Sequence, residues 1–256
     1  MSDRYPQSLS DVASWARLNG VTIEEARQRF AQFVVLCGVA SVRSLRDYLV
    51  FKGGNALDFV LQPNRSTIDL DFSLDMEGGE ALASAREIQN ALTVGIRQVA
   101  PRFGMALAIH SVKQQPPGEE KTFITFEARI GYALPDERQL LIRMANNQTS
   151  PHVLAIDISI NEPIFASTTF KIAEGFGSLR IGVLEDIVGE KLRSLLQQPI
   201  RNRNREQDLL DIAVVVRANE SIDRQDVATA LQLKAQARNV PVTRKAFRNP
   251  EVIHRA

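Results

Sequence analysis

The residues with the clearest chemical potential are two aspartates, Asp69 and Asp71, that lie two positions apart in an apolar run. Because side chains alternate faces along a strand, both carboxylates share one face, roughly 7 Å apart, while Ile68, Leu70 and Phe72 point into a core. Two acids on one face repel each other, and a divalent cation between them turns that repulsion into a binding site. The spacing therefore predicts a metal site on a strand.

A pair of glycines, Gly53 and Gly54, follows a short apolar segment that is typical of a strand. Glycine lets the backbone approach a phosphate closely because no Cβ is in the way. Either feature alone has an ordinary explanation, a turn for the glycines and a solvated strand end for the acids. A strand, a glycine turn, a short helix, a polar turn and a second strand with two acids together predict nucleotidyl transfer.

A further acid, Asp157, lies within the apolar run Val153–Ile160. Burying an unpaired carboxylate is costly, so this side chain should meet a cation or a hydrogen-bond donor. Two interpretations stay open. Asp157 is either a third metal ligand beside Asp69 and Asp71, or a strand-edge aspartate that faces water or pairs with an arginine.

A second set of charged residues lies in the C-terminal part of the chain. Helical periodicity places Lys191 inside an apolar arc, and Asp211 lies among the valines of the next helix, for which Asp208 is the predicted N-cap. Lys191 and Asp211 either pair with each other as a structural salt bridge or serve a nucleotide. In the second case Lys191 contacts the triphosphate and Asp211 orients the lysine or acts as a base.

The charge of the chain is unevenly distributed. The 256 residues have a net charge of +1, but residues 1–190 contain 18 Lys/Arg and 23 Asp/Glu, whereas residues 191–256 contain 13 and 7. Three arginines, Arg201, Arg203 and Arg205, alternate within the basic part. An acidic half beside a basic tail suits a protein that binds metal in one part and a polyanion in the other; a solvated basic surface is the alternative.

The composition narrows the class of protein. With 44% hydrophobic and 24% charged residues, the chain is typical of a globular protein of one large domain or two modest ones. It contains neither a membrane-length apolar run nor a secretory apolar segment near the N-terminus. The single cysteine, Cys37, is expected in the core, and the three histidines lack metal-ligand spacing. We expect a cytoplasmic protein without a zinc site.

The elements that must position these residues are helices and strands in mixed order. We predict helices over 9–18, 22–36, 41–47 and 80–100, and a mainly helical chain from Leu184 onward. Predicted strands, besides the one through the two aspartates, cover 48–52, 105–112, 122–132, 139–145, 152–160 and 179–183. Pro163, Gly175 and Gly177 interrupt the pattern, which predicts domains over 1–175 and 176–256.

Two stretches resemble a known family. The run Phe51-Lys-Gly-Gly-Asn-Ala-Leu, with Arg65-Ser-Thr-Ile-Asp-Leu-Asp-Phe, is similar to the first motif of AbiEii/AbiGii-type nucleotidyltransferase toxins, members of the DNA polymerase-β-like superfamily. The run Leu184-Glu-Asp-Ile-Val-Gly-Glu-Lys-Leu-Arg-Ser-Leu, with Arg205-Glu-Gln-Asp-Leu-Leu-Asp, is similar to their second region. The resemblance implies an α+β fold, in which a polymerase-β-like mixed sheet flanked by helices is followed by a helical C-terminal domain.

The resemblance also implies a role for each matched residue. Asp69 and Asp71 would bind two Mg²⁺ ions, and Lys191 and Asp211 would complete the catalytic group. The nucleotide-binding residues would be Lys52, Gly53, Gly54, Arg65, Ser66 and Lys191. Gly54 stands where some members carry serine, which leaves phosphate contact to backbone N–H groups.

The implied function is Mg²⁺-dependent transfer of NMP from an NTP to an acceptor hydroxyl by the toxin of a toxin–antitoxin or phage-defence system. The resemblance implies RNA as acceptor, the 3′ end of tRNA in some members, and a cognate antitoxin. Arg201, Arg203 and Arg205 are the candidate acceptor-binding residues. The alternatives are transfer to a small molecule such as an aminoglycoside, or a non-catalytic binding protein of the same fold.

Overall fold

The computed structural model describes residues 5–58, 69–118, 122–202, 204–219 and 221–255. Three predicted site residues, Arg65, Ser66 and Arg203, lie outside the described residues, as does the predicted polar turn before Asp69. The chain forms two compact units, residues 1–161 with 169–181 and residues 162–168 with 182–256. No described helix combines the length and the apolar character that crossing a membrane requires.

The first unit contains a seven-stranded mixed sheet, apart from strand residues 167, 168 and 182, which belong to the second unit. Its strands are β1 Leu49–Lys52, β2 Leu70–Leu74, β3 Ala106–Gln115, β4 Thr125–Ala133, β5 Val153–Ser159, β6 Ser167–Lys171 and β7 Ser178–Gly182. Their order across the sheet is β3-β4-β5-β2-β1-β7-β6. Strand β2 runs parallel to β5 and antiparallel to β1, while β4 runs antiparallel to both β3 and β5.

The first unit also contains helices, several of which contact the sheet. They are α1 Val12–Asn19, α2 Ile23–Ser41, α3 Arg43–Tyr48, α4 Gly53–Ala56, α5 Met76–Gly79, α6 Ala85–Val99 and α7 Arg138–Ala145. Helix α2 is buried along most of its length, including Cys37 as expected. It meets α6 where Gly38 approaches Gly95, and a Cβ at Gly95 would lie 2.5 Å from the Gly38 carbonyl oxygen. Close packing of these two helices therefore depends on glycine.

One face of the central strands carries side chains that are only half-buried, among them Asp71 and Asp157, and we call it the open face. Strand β5 alternates buried Leu154, Ile156 and Ile158 with half-buried residues that include Asp157 and Ser159. Leu70 and Phe72 of β2 are fully buried, as the sequence predicts. Since residues two apart share a face, the charged side chains of these strands lie on the open face. The predicted α+β class with a mixed sheet is confirmed.

The second unit is mainly helical, as predicted. It contains α8 Leu184–Leu196, α9 Gln198–Arg201, α10 Glu206–Ala218, α11 Arg224–Ala237, α12 Arg244–Phe247 and α13 Pro250–Arg255. The segment 162–168 belongs to this unit, since Lys234 donates to the Pro163 carbonyl at 2.8 Å and the Phe165 N–H donates to Asp186 at 2.7 Å. The division between residues 175 and 176 stays a prediction.

Three sequence predictions of local structure are wrong. Residues 139–145 form helix α7 rather than a strand, because leucine, arginine, methionine and alanine favour a helix over so short an apolar run. Strand β6 was not predicted, since its sequence Ser-Thr-Thr-Phe-Lys is polar and lies at the sheet edge. Asp208 is not the N-cap of α10; Arg205 takes that position and Asp208 lies in the first turn.

Candidate functional site

Five charged residues form a row across five neighbouring strands. Cα register pairs Lys52 with Asp71, Asp71 with Asp157, Asp157 with Glu127, and Glu127 with Lys113. Directly paired residues of adjacent strands point to the same face, and adjacent strands lie about 4.8 Å apart. The row therefore brings three carboxylates together between two lysines. We call these five residues the charged row.

Asp69 lies beside the charged row, immediately before β2. Its pKa is raised by partial burial of the carboxyl group and then by the negative charge of Glu127. The pKa of Asp157 is raised by burial and then by the charges of Asp69 and Glu127, against the opposing effects of Lys52 and Arg129. Each ionised acid thus disfavours the ionised form of its neighbours, and a divalent cation would relieve this repulsion.

The glycine turn and the aspartate strand meet at Gly53. Its φ of +73° lies in the left-handed region that favours glycine. A Cβ at this position would lie 2.6 Å from Oδ2 of Asp71 and 3.2 Å from its Cγ. Residue 53 must therefore be glycine both for its backbone angle and for the room that the Asp71 carboxylate occupies.

A buried polar network under the turn was missed by the sequence reasoning. Asn55 is fully buried, accepts from Arg29 Nη1 at 2.9 Å, and donates through Nδ2 to the backbone oxygen of Asp69. Arg29 also pairs with Asp58. Burial lowers the pKa of Arg29 to about 10, so the guanidinium stays charged at neutral pH. The network joins α2, the glycine turn and the start of β2. The sequence signal that could have indicated it is Asn55, a polar residue in an apolar run.

The acids of the first unit suit a hard divalent cation by charge and by ligand type, since Mg²⁺ prefers carboxylate oxygens. Among the described residues, no three carboxylate, imidazole or thiol side chains are arranged as a group that could hold a metal ion. Lys52 of β1 donates to Oγ of Ser159, the last residue of β5, at 3.3 Å. Metal binding by Asp69, Asp71 and Asp157 stays a prediction, which the crowding of acids in the charged row supports.

Replacing Asp157 with asparagine is expected to raise the melting temperature of the metal-free protein. Because the pKa of Asp157 is raised in the folded chain, its ionised form reduces stability at neutral pH, and this cost disappears as the pH falls through that pKa. For a chain of this size, each kcal/mol relieved raises the melting temperature by about 2–4 °C. Thermal denaturation in EDTA measures the effect.

The same experiment in Mg²⁺ tests the ligand role of Asp157. Mg²⁺ should stabilise the wild-type protein more than the Asp157→Asn variant, because a ligand stabilises the state that binds it. A lower melting temperature of the variant in EDTA would show instead that Asp157 makes a stabilising contact.

The second unit contains a buried cation between two acids. Lys191 Nζ donates to Asp208 Oδ1 at 2.8 Å and to Asp211 Oδ2 at 2.6 Å. Lys191 is 8% exposed and Asp211 is 4% exposed. The structure thus contains the Lys191–Asp211 pair that the sequence offered as the structural interpretation, and extends it to Asp208. Nucleotide contact by Lys191 stays a prediction.

Replacing Lys191 with methionine is expected to destabilise the fold by about 3–5 kcal/mol, because the two carboxylates would stay buried without their cation. Urea denaturation measures this change, and Lys171→Met, which removes an exposed ion pair with Glu174, is a control of small effect. Unchanged stability with lost NTP binding would contradict the structural role and assign the lysine to the nucleotide.

The two described arginines of the predicted acceptor site border a small cleft in the second unit. Arg201 and Arg205 line it together with Gln198, whose Oε1 accepts from the Arg205 N–H at 2.8 Å. Arg193 also lines this cleft and is paired with Glu190, while Arg205 Nη1 lies 3.7 Å from Asp208 Oδ2. Acceptor binding by Arg201 and Arg205 stays a prediction.

Comparisons with known proteins agree with this architecture. A family model described as "Nucleotidyl transferase AbiEii toxin, Type IV TA system" matches residues 34–255. A search of curated proteins finds no match.

A search of solved structures finds proteins from two bacteria. MenT4, a nucleotidyltransferase toxin from Mycobacterium tuberculosis H37Rv, is 19% identical over 86% of this chain and 68% of its own, with a TM-score of 0.48. A protein from H. pylori described as a "putative nucleotidyltransferase" is 14% identical over 86% of this chain and 96% of its own, with a TM-score of 0.39. JHP933 from Helicobacter pylori has the same identity and TM-score and is covered over 92% of its length.

Proposed function

We propose a reaction for this chain, which belongs to the family of AbiEii nucleotidyltransferase toxins of type IV toxin–antitoxin systems. The chain is a nucleotidyltransferase, and the resemblance of its two motifs to that family is confirmed. In the proposed reaction an acceptor oxygen forms a bond to the α-phosphorus of an NTP while the bond to the β-phosphate oxygen breaks. The products are an acceptor carrying NMP and pyrophosphate.

One observation carries the proposal: the Asp71 carboxylate lies against the Cβ position of Gly53 and pairs in register with Asp157. Asp69, Asp71 and Asp157 would hold Mg²⁺ there. When bound, Mg²⁺ supplies positive charge to the attacking and leaving oxygens. Gly53 and Gly54 would contact phosphate beside the acids through backbone N–H groups, and Lys52, next in the charged row, would neutralise phosphate charge on that side.

The nucleotide-binding role of the second unit is also a proposal. Lys191 would contact the nucleotide and Asp211 would keep the lysine oriented. Lys191 already donates to two carboxylates, so this role requires that the lysine shift at least one of its hydrogen bonds from Asp208 or Asp211 to a phosphate. The ammonium group then keeps negatively charged partners, because the phosphate takes the place of the aspartate.

RNA is the proposed acceptor, with the 3′ end of tRNA as the specific candidate. The basic balance of residues 191–256 and the arginine-lined cleft support a polyanionic acceptor rather than a cationic drug. A cognate antitoxin follows from the type IV family, and we place the activity in the cytoplasm. The non-catalytic alternative loses its support, because the chain belongs to a nucleotidyltransferase family and keeps all four predicted catalytic residues.

Incubation of the purified protein with total RNA, Mg²⁺ and each α-labelled NTP in turn tests the acceptor. The proposal predicts label in RNA with one or a few nucleotides and none when EDTA replaces Mg²⁺. Parallel reactions contain an aminoglycoside in place of RNA. Label in the aminoglycoside and none in RNA would overturn the RNA assignment and support the small-molecule reaction.

A further inference from the structure

Arg129 is an exposed cation on the open face of the sheet, beside the charged row. Its side chain is 60% exposed, and its Nε donates to Glu127 Oε1 at 2.6 Å. Strand register places it opposite Ala155, two residues before Asp157 on β5. Arg129 therefore lies on the same face as the acids, two positions along the sheet from the pair of Glu127 and Asp157.

The positive charge of Arg129 acts on two residues of the candidate metal site. Its guanidinium favours the ionised forms of both Asp69 and Asp157, against the repulsion from Glu127. Glu127 fixes the guanidinium through one nitrogen, and the group has five N–H donors in all. Because the Arg129 side chain is mostly exposed, the other N–H donors of its guanidinium can reach a ligand from solvent.

The position of Arg129 within the sheet separates it from the glycine turn. The strand order is β4-β5-β2-β1, with Arg129 on β4 and the turn at the end of β1. At about 4.8 Å per strand, β4 lies about 10 Å from β2, on the side away from β1. Asp71 and Asp157 thus lie between the phosphate-admitting turn and the arginine.

The geometry of phosphoryl transfer relates this separation to the direction from which the acceptor approaches. Attacking and leaving oxygens are roughly in line on opposite sides of the transferred phosphorus. If the β- and γ-phosphates lie toward the glycine turn, the acceptor approaches from the β5–β4 side. A cation on β4 then faces the acceptor rather than the triphosphate.

We propose that Arg129, held in position by Glu127, binds a backbone phosphate of a polynucleotide acceptor. Arginine suits this role because its planar fork matches a phosphate with two parallel hydrogen bonds. Lys113, paired opposite Glu127 on β3, extends the same positive edge. This inference rests on the proposed function and assigns the acceptor side of that site.

Salt-dependent binding of single-stranded RNA tests the inference. Fluorescence anisotropy would follow a labelled RNA oligonucleotide binding to the full chain with Mg²⁺ and an NTP analogue that cannot be cleaved between the α- and β-phosphates, at several salt concentrations. Arg129→Gln should weaken RNA binding several-fold and flatten the slope of log affinity against log salt by about 0.7, the value for one phosphate contact on a single strand. Affinity for the NTP should stay at the wild-type value.

Two further variants test whether the change in RNA binding comes from Arg129 and from its pairing with Glu127. Arg86→Gln removes an exposed arginine from α6 and should leave the slope unchanged. Glu127→Gln keeps Arg129 but removes its ionic partner, so the slope should stay near the wild-type value while the affinity falls through poorer orientation. A structural role of Glu127 alone would lower stability without changing RNA affinity at equal folded fraction.

The outcomes separate this inference from the proposed function. An unchanged slope and affinity in Arg129→Gln would overturn the inference even if wild-type protein transfers nucleotide to RNA. Weaker NTP binding with unchanged RNA binding would overturn it as well and move Arg129 to the triphosphate. A flattened slope in a protein that transfers no nucleotide would uphold phosphate binding by Arg129 and overturn the proposed reaction instead.

Discussion

Asp71→Asn is expected to reduce nucleotidyl transfer on the order of 10²–10³-fold or more while the protein stays folded. The asparagine keeps the shape of the side chain but removes one charge from the group that would hold Mg²⁺. Loss of one electrostatic contact to a transition state commonly costs that factor. The initial rate of pyrophosphate release at saturating NTP and RNA measures it.

The matched control for this variant is Asp136→Asn, which removes an exposed carboxylate paired with Arg27. It should change the rate little, because Asp136 lies neither in the charged row nor beside Lys191. It should also change stability little, since an exposed ion pair contributes about 0–1 kcal/mol. Near wild-type transfer by Asp71→Asn would show that Asp71 is not a metal ligand in this reaction.

Gly53→Ala is the second substitution with a large expected effect. The added Cβ would lie 2.6 Å from the Asp71 carboxylate, so either the turn or the carboxylate must move. The left-handed φ of +73° adds a backbone cost of about 1–2 kcal/mol for a residue with a Cβ. We expect lower stability together with loss of most transfer activity, measured by denaturation and by pyrophosphate release on the same preparation.

Gly20→Ala separates these two causes. Gly20 also has a left-handed φ, +65°, but a Cβ there would have no neighbour within 4 Å. This control should lose stability by the backbone cost alone and keep its activity per folded molecule. If Gly53→Ala behaves like Gly20→Ala, the close approach between the turn and Asp71 is not needed for the reaction.

The sequence predicts well those parts of the site that depend on local pattern. Period-two alternation is enough to place Asp69 and Asp71 on one face and Leu70 in the core, because both follow from a single strand. The glycine turn with its short helix is local in the same sense, and Gly53–Ala56 forms that helix. Metal and nucleotide binding by these residues stay predictions.

The charged row could not be predicted, because it depends on how strands pair. Glu127 and Arg129 join the acids only through the registers of β4 with β5 and of β5 with β2. Strand β3 adds a bulge between Ile109 and Ser111 that shifts its alignment with β4 by one residue. A one-residue shift moves every side chain to the other face, so alternation alone could not place Lys113.

The partners of Lys191 could not be predicted from the sequence for a different reason. Helical periodicity correctly indicates that Lys191 and Asp211 are buried, but a buried lysine looks the same in sequence whether its partner is an acid or a phosphate. The misplaced N-cap matters here, because Asp208 in the first turn of α10 becomes a second partner of Lys191. The structure shows acidic partners for Lys191, and nucleotide contact by this lysine stays a prediction.

The most direct test of nucleotidyl transfer by this chain uses an NTP labelled on both the α- and γ-phosphates. With Mg²⁺ and RNA, we expect the α label to enter RNA in equal amount to the γ label released as pyrophosphate, and Asp71→Asn to reduce both on the order of 10²–10³-fold or more. Transfer of the γ label to the acceptor, or its release as inorganic phosphate without α label in RNA, would contradict the account.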